Sequence, residues 1–469
     1  MTRHREIFGR ALQHANRYRD SLAERPPATS LSAAELLARF DGPTPEVGSD
    51  PVAVIDALAD SAESGLSSSA GVRFFGWVIG ASDPVGVAAD MLTSVWGQNA
   101  GNYACSPAAA VAEKVAARWL LDILRLPAES SVGFVTGATM ASFTCLAAAR
   151  NAVLARIGID CEINGLAGAP RVRVFIGEEA HVTLYSALRY LGFGSQAIQI
   201  RADADGRMDA DALEGALAAG EGPAIVIAQA GQIHTGAFDP MPAIVRASRR
   251  HGAWLHVDGA FGLWARAVPE MTDLTAGIDE ADSWSVDGHK WLQLPYDSGF
   301  AIVRDEQAHR RAMSITASYL PVADGEEYDP GAFVPELSRR ARGFPAWAVL
   351  RAFGRQGIAE MVRRHCAFAR HLARRLAAVP GVNVLNPVDL NQVVVNFGAG
   401  TPQQREAVTR SVIGRLREEN LCLAGGAVWR GRYVLRLSII SGPLSEADIE
   451  RLADAIISAW HFVSSRSQG

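Results

Sequence analysis

Lys290 stands in Asp287-Gly288-His289-Lys290-Trp291, directly after an apolar run of strand length and in a turn with glycine and histidine. An amine there is either one more solvated surface lysine, the usual state of that residue, or a nucleophile able to form an imine with a carbonyl compound. Three further features end other apolar runs. Asp258 closes Leu255-His256-Val257-Asp258, just before Gly259-Ala260. A carboxylate ending a buried strand must be paired or hydrogen-bonded, so it either faces a protonated ring nitrogen or caps the segment that follows. Thr136-Gly137-Ala138-Thr139 precedes a helical stretch; small residues there let backbone amides and the helix dipole reach an anion. Neither GxxxxGK[ST] nor GxGxxG is present. His181, in Glu179-Ala180-His181-Val182-Thr183, offers an imidazole that stacks on a flat ring or simply caps a helix.

Together the four features supply an anion cradle, a stacking ring, a carboxylate and an amine. Pyridoxal phosphate requires that set: an imine link, a site for its anionic tail, and a counter-charge that keeps its pyridine protonated and electron-withdrawing.

The elements that must bring these residues together are legible as a rhythm. Between about 80 and 305, apolar runs recur at 133–137, 172–177, 224–229, 254–258, 283–287 and 299–303, with amphipathic stretches at 139–156, 181–192 and 239–251 among them. Continuous apolar strands alternating with helices describe an α/β domain whose mostly parallel sheet is covered on both faces, with ligands beyond the carboxyl ends of the strands. A Pro- and Gly-punctuated stretch, 318–345, then leads to a long helix around 346–378. Strands at 382–387, 392–397 and 433–440, with helices around 402–418 and from 445, complete a small α+β C-terminal domain. The expected division is an N-terminal helical arm over 1–80, a large domain over 81–320 and the small domain, with the loop before it, over 321–469. In the arm, Ser32-Ala33-Ala34-Glu35 is a capping box. The arm is too short and interrupted for a core of its own and is expected to pack on something else, such as a second subunit.

Composition narrows the partners. The chain has 469 residues, 49% hydrophobic and 20% charged, with a net charge of −5 and a pI near 6.1. That length needs no disulfide or metal to hold a core, and the mild acidity, without long like-charge blocks, argues against nucleic acid. Cys105, Cys145, Cys161, Cys366 and Cys422 are odd in number and contain no CxxC pair, the pattern of reduced thiols in a cytoplasmic protein without a zinc site. The basic N-terminal stretch has no apolar segment behind it, so no secretory signal is expected. No uncharged apolar run reaches about 18 residues, so no membrane span is expected.

The sequence resembles the group II pyridoxal-phosphate decarboxylases, the family of aromatic-L-amino-acid and glutamate decarboxylases, from about Arg73 to the C-terminus. The matching stretches are Arg73-Phe74-Phe75-Gly76-Trp77, Ser106-Pro107-Ala108, Thr136-Gly137-Ala138-Thr139, Glu179-Ala180-His181, His256-Val257-Asp258-Gly259-Ala260 and His289-Lys290-Trp291. Tyr319-Leu320, Ser338-Arg339-Arg340 and Leu435-Arg436 also fit. The resemblance implies the fold type I, aspartate-aminotransferase-like architecture, pyridoxal 5'-phosphate as cofactor, and decarboxylation of an L-amino acid to its amine. It further implies a Schiff base at Lys290, His289 against the cofactor, Asp258 on the pyridine nitrogen, and Ala260 and His181 on opposite ring faces. Gly137, Ala138 and Thr139 would hold the phosphate. Tyr319, on a mobile loop, would protonate the quinonoid carbon, with Tyr328 ranked behind it. A homodimer with the active site at its interface is implied as well.

Departures bear on substrate and outcome. Asp287-Gly288 stands where many members have Asn-Pro, and Gly71 where a His or Ser-Pro is frequent. Gly231-Gln232-Ile233-His234-Thr235-Gly236 replaces the usual Gly-Thr-Thr, which puts Gln232 or His234 against cofactor or substrate. These mark a divergent, bacterial-type member. Rival outcomes are an aldehyde synthase that oxidises with O2, an aminotransferase or other lyase on the same scaffold, and a silent relative. Phe75, Trp77 and Trp96 line an aromatic substrate pocket or are plain core. Arg436 reads a substrate carboxylate bidentately or forms a structural ion pair, with Trp429 and Arg430 beside it.

Overall fold

The protein is described here from a computed structural model, which covers residues 3–315 and 327–466. The strands of the large sheet are β1 (Ser131–Val135), β2 (Arg173–Gly177), β3 (Ile198–Ile200), β4 (Ala224–Gln229), β5 (Trp254–Asp258), β6 (Ser283–Asp287) and β7 (Gly299–Val303). Their order across the sheet is β1-β7-β6-β5-β4-β2-β3. β7 runs antiparallel to both neighbours, and the other pairings are parallel. The turn that carries Lys290 therefore joins two antiparallel neighbours, which needs no crossover helix. β4 to β7 keep the limits expected from their apolar runs, because every residue in them, the few polar ones included, is buried.

Both faces of the sheet are covered. Leu120, Trp264, Trp284 and Trp291 pack one side. The helix Ala138–Ala155 lies against the other, burying Cys145, Leu146 and Leu154 with Ile176. That helix is apolar nearly all round, as a helix sunk in a core must be. The C-terminal part forms an antiparallel sheet of β8 (Val382–Val384), β9 (Gln392–Phe397), β10 (Gly425–Trp429) and β11 (Arg432–Ser438), in the order β10-β11-β9-β8. The long helix Gly343–Ala377 links the two sheets and is broken at Gly354, where φ is 60°. Two strands escape the sequence pattern. β3 is three residues with two exposed, and β10 alternates half-buried and exposed residues around glycines, so neither leaves an apolar run.

The arm consists of α1 (Arg3–Ser21), α2 (Ala33–Phe40) and α3 (Pro51–Glu63). The Ser32 capping box is formed on both sides. None of the three helices buries a single residue, although Phe8, Leu12, Leu37, Phe40 and Leu58 are apolar and about half or more exposed. α4 (Pro84–Trp96) continues this apolar surface with Met91, Leu92, Val95 and Trp96. Among the described residues no helix is long and apolar enough to cross a membrane.

One buried ion pair ties the layers together. Arg339, in the approach to the long helix, donates to the Glu113 carboxylate of α5 (Pro107–Ile123) at 2.6 Å and to the Phe134 carbonyl of β1 at 3.2 Å. Both side chains are 1% exposed, and burial pushes the Glu113 carboxyl up while Arg339 pulls it back. Removing one partner strands a buried charge. Arg339→Met is expected to cost about 3–5 kcal/mol, read as a lower urea midpoint, and adding Glu113→Gln should restore most of it. A single variant as stable as the parent would contradict this role.

Candidate active site

The carboxyl ends of β1, β2, β4, β5 and β6 open on one cavity of about 280 Å³. Its lining brings together Gly137, Ala138, Thr139, His181, Asp258, Ala260, His289 and Lys290, all singled out from sequence. A larger and more apolar cavity of about 600 Å³ lies between α1 and the long helix. Its two arginines are already engaged with backbone, Arg19 with the Ser82 carbonyl and Arg364 with that of Gly442. Convergent titratable groups distinguish the smaller cavity.

Lys290 lies in the turn after β6. Its Nζ is 2.9 Å from Asp287 Oδ2, and its backbone is pinned by Gly80, where an added Cβ would lie 1.9 Å from the Lys290 carbonyl oxygen. Asp258 is 7% exposed. Its Oδ1 accepts the Ala260 N–H at 3.1 Å, so it caps the following turn while its carboxylate still lines the cavity. Burial pushes its carboxyl up, and the His181 and Lys290 charges pull it back. His181 likewise combines a cap with a place in the cavity wall. It caps the helix Val182–Tyr190, with Nδ1 2.7 Å from Thr183 Oγ1, while its ring lines the cavity. Burial holds its pKa below the usual histidine range, partly offset by Asp258. His289 is held low by burial as well and stacks on Tyr296 at 4.3 Å.

The α6 helix (Ala138–Ala155) begins at Gly137, which has no side chain to fill the turn. A Cβ on Gly137 would lie 2.9 Å from the His289 ring and 3.2 Å from Asp287 Oδ1. An amine, a buried carboxylate across from it, an imidazole face and a side-chain-free helix N-terminus together fit pyridoxal 5'-phosphate, and the residues present require no other group. Among the described residues no group of three or more His, Cys, Asp or Glu is placed to hold a metal ion.

Four candidate residues lie away from the cavity lining. Gln232 does not line the cavity. It is 1% exposed, and its Oε1 accepts the His234 and Thr235 amides at 2.7 and 2.8 Å, satisfying its own turn. Ile233 takes the wall position instead. Phe75 is 2% exposed and packs in the small-domain core. Trp77 is 61% exposed, and Trp96 lies on the exposed α4 face, edge-on to Phe344; none of these three aromatics lines the cavity. Tyr319 lies outside the described residues. Tyr328 is away from the site: its hydroxyl donates to the Val132 carbonyl and its ring stacks on Phe333.

Arg436 does not line the cavity either, but it touches the wall residue Ile233. Among the described residues it has no carboxylate partner, and it donates only to the Ile233 carbonyl, at 3.3 Å. Burial lowers its pKa, and its charge is felt at His181 and His234. His234 stacks on Trp429 at 6.3 Å and has a buried Nδ1 without a partner among the described residues. Burial first, then Arg436 and His181, lower its pKa to about 4. The unfolded chain takes up this proton near pH 6.5 and the folded chain only near 4, so this contribution to stability is lost as pH falls through that window. Urea midpoints at pH 7 and 5 should show the parent losing up to about 2 kcal/mol relative to His234→Gln. An unchanged difference would contradict the buried, neutral state.

A family model described as the pyridoxal-dependent decarboxylase conserved domain matches residues 36–398. The chain is 26% identical to tryptophan decarboxylase 1 of Oryza sativa, over 98% of this chain and 92% of the relative. It is 29% identical to L-2,4-diaminobutyrate decarboxylase of Rhizobium meliloti, over 88% and 83%, and 25% identical to 4-hydroxyphenylacetaldehyde synthase of Rhodiola rosea, over 96% and 92%. The crystal structure of the Oryza sativa enzyme with pyridoxal phosphate and tryptamine superposes with a TM-score of 0.92 at 25% identity, covering 98% of this chain and 97% of that one. With that family match over most of its length, the chain belongs to the pyridoxal-dependent decarboxylases and is a pyridoxal-phosphate-dependent amino-acid carboxy-lyase.

Proposed function

We propose that Lys290, Asp258, His181 and Arg436 carry the decarboxylation of an L-amino acid to its amine, with Tyr319 delivering the final proton. The observation that carries this reading is the meeting of the Lys290 amine and the buried Asp258 carboxylate in one cavity floored by the α6 N-terminus. Pyridoxal 5'-phosphate, when bound, supplies an electron sink for the bond to the departing CO2. Lys290 brings the primary amine that holds the cofactor aldehyde and yields it to the substrate amine. Asp258 supplies the counter-charge for a protonated ring nitrogen, since an opposite charge nearby favours the charged form. His181, neutral and fixed by Thr183, offers a stacking face, with Ala260 on the other side. Gly137, Ala138 and Thr139 present the helix N-terminus to the phosphate. Arg436, half-buried, without an acidic partner among the described residues and bonded to the carbonyl of the wall residue Ile233, takes a substrate carboxylate bidentately.

The bare apolar faces of α1 to α4 support a homodimer in which the arm covers the partner, with the active site at the interface. Five unpaired cysteines, four of them buried, support a reducing, cytoplasmic location. The relatives act, by their names, on tryptophan or diaminobutyrate, or form an aldehyde, so substrate and outcome are tested together. Purified holoprotein offered tryptophan, tyrosine, 2,4-diaminobutyrate and glutamate should release CO2 and amine in equal amounts from at least one, with little peroxide. Lys290→Ala should abolish turnover and leave the dimer folded, and Tyr319→Phe should shift product from amine towards aldehyde. Keto acid without CO2, or a fully active Lys290→Ala, would contradict the proposal.

A further inference from the structure

Asp287 is a charged residue lining the site that the proposed reaction does not use. It ends β6 opposite Gly299, where the chain is so close to the Gly137 turn that a Cβ on Gly299 would lie 2.4 Å from Gly137 Cα. Its backbone is held on both sides: its N–H donates to the Ala260 carbonyl at 2.9 Å, and its carbonyl accepts the Trp264 indole N–H at 3.1 Å. The carboxylate has little room to move, and its side chain is 3% exposed. Oδ1 accepts the Ala138 N–H at 2.5 Å and lies 3.5 Å from His289 Nε2, while Oδ2 is 2.9 Å from Lys290 Nζ. Ala138 is the first residue of α6, so its amide is among those that an anion at this helix N-terminus would use. A fixed negative charge already occupies it.

We propose that Asp287 is a positioning residue that clamps the Lys290 amine to the α6 N-terminus and, by placing its charge beside the phosphate cradle, limits how much the cofactor's phosphate adds to binding. This rests on the reading of 136–139 as the phosphate cradle and of Lys290 as the cofactor's lysine. The physics is a competition: helix dipole and ammonium stabilise the buried carboxylate, and an incoming phosphate meets a like charge that cannot withdraw. Asparagine has the same shape and keeps an oxygen for the Ala138 N–H, so replacing Asp287 with it removes the charge alone.

The test compares two forms of the cofactor that differ only in the phosphate. Equilibrium dialysis gives the dissociation constants of pyridoxal 5'-phosphate and of pyridoxal for the parent chain and for Asp287→Asn. Lys290→Ala controls for the lysine-dependent visible absorbance. The ratio of the two constants, pyridoxal over its phosphate, is expected to rise at least about tenfold in Asp287→Asn. A purely structural role would weaken both forms together and leave the ratio alone. Asp287→Ser carries the same expectation if the asparagine variant fails to fold. An unchanged or lower ratio with both forms bound overturns the inference alone. A parent chain that binds neither form, or a Lys290→Ala variant with unaltered absorbance, overturns the site reading and this inference with it.

Discussion

A carboxylate buried at the end of β5 faces an amine at the end of β6, and the rest of the molecule is arranged to hold that pair. Charges in low dielectric are tolerated only with compensation. Here compensation comes from neighbours that are themselves fixed: the Ala260 N–H and the Lys290 charge at Asp258, Asp287 at Lys290, and the α6 N-terminus at Asp287. The protonated pyridine nitrogen of a bound cofactor would complete the set by adding a second opposite charge at Asp258. The sheet explains the precision. Five buried strands and the tryptophan-rich core behind them fix the strand ends, so that loops only a few residues long can place every group.

Much of this was legible in the sequence, for a physical reason. Strands buried on both faces leave continuous apolar runs, and β4 to β7 keep their expected limits. The functional residues followed at once, because ligands gather where such runs end. Asp258 and His181 each have two readings, cap or cofactor contact; each caps its turn and also lines the cavity, so the hydrogen bond that caps the turn is what orients the side chain there.

What was not legible depends on where side chains turn. Gln232 and Ile233 are adjacent, and polarity favoured the first; the turn's own amides take the glutamine, leaving the isoleucine to the cavity. Phe75, Trp77 and Trp96 are aromatic and close in sequence to the family's matching stretches, yet one is small-domain core and two are exposed. That Arg436 has no acidic partner among the described residues is a fact of its surroundings that no linear pattern carries. Asp287 was visible only as a departure from the common Asn-Pro, since nothing in a linear pattern tells that its carboxylate reaches another strand's helix. β3 and β10 are too short or too alternating to announce themselves.

The chain contains only two lysines, Lys114 and Lys290, the first exposed on α5. Borohydride treatment of the holoprotein, which reduces a lysine–aldehyde imine to a stable amine, followed by proteolysis and mass spectrometry, therefore gives a nearly binary answer. The account requires the phosphopyridoxyl mass on the peptide containing Lys290 and its loss when Asp258 and the cradle are disrupted by unfolding before the cofactor is added. The mass on Lys114, or on neither lysine, would contradict it.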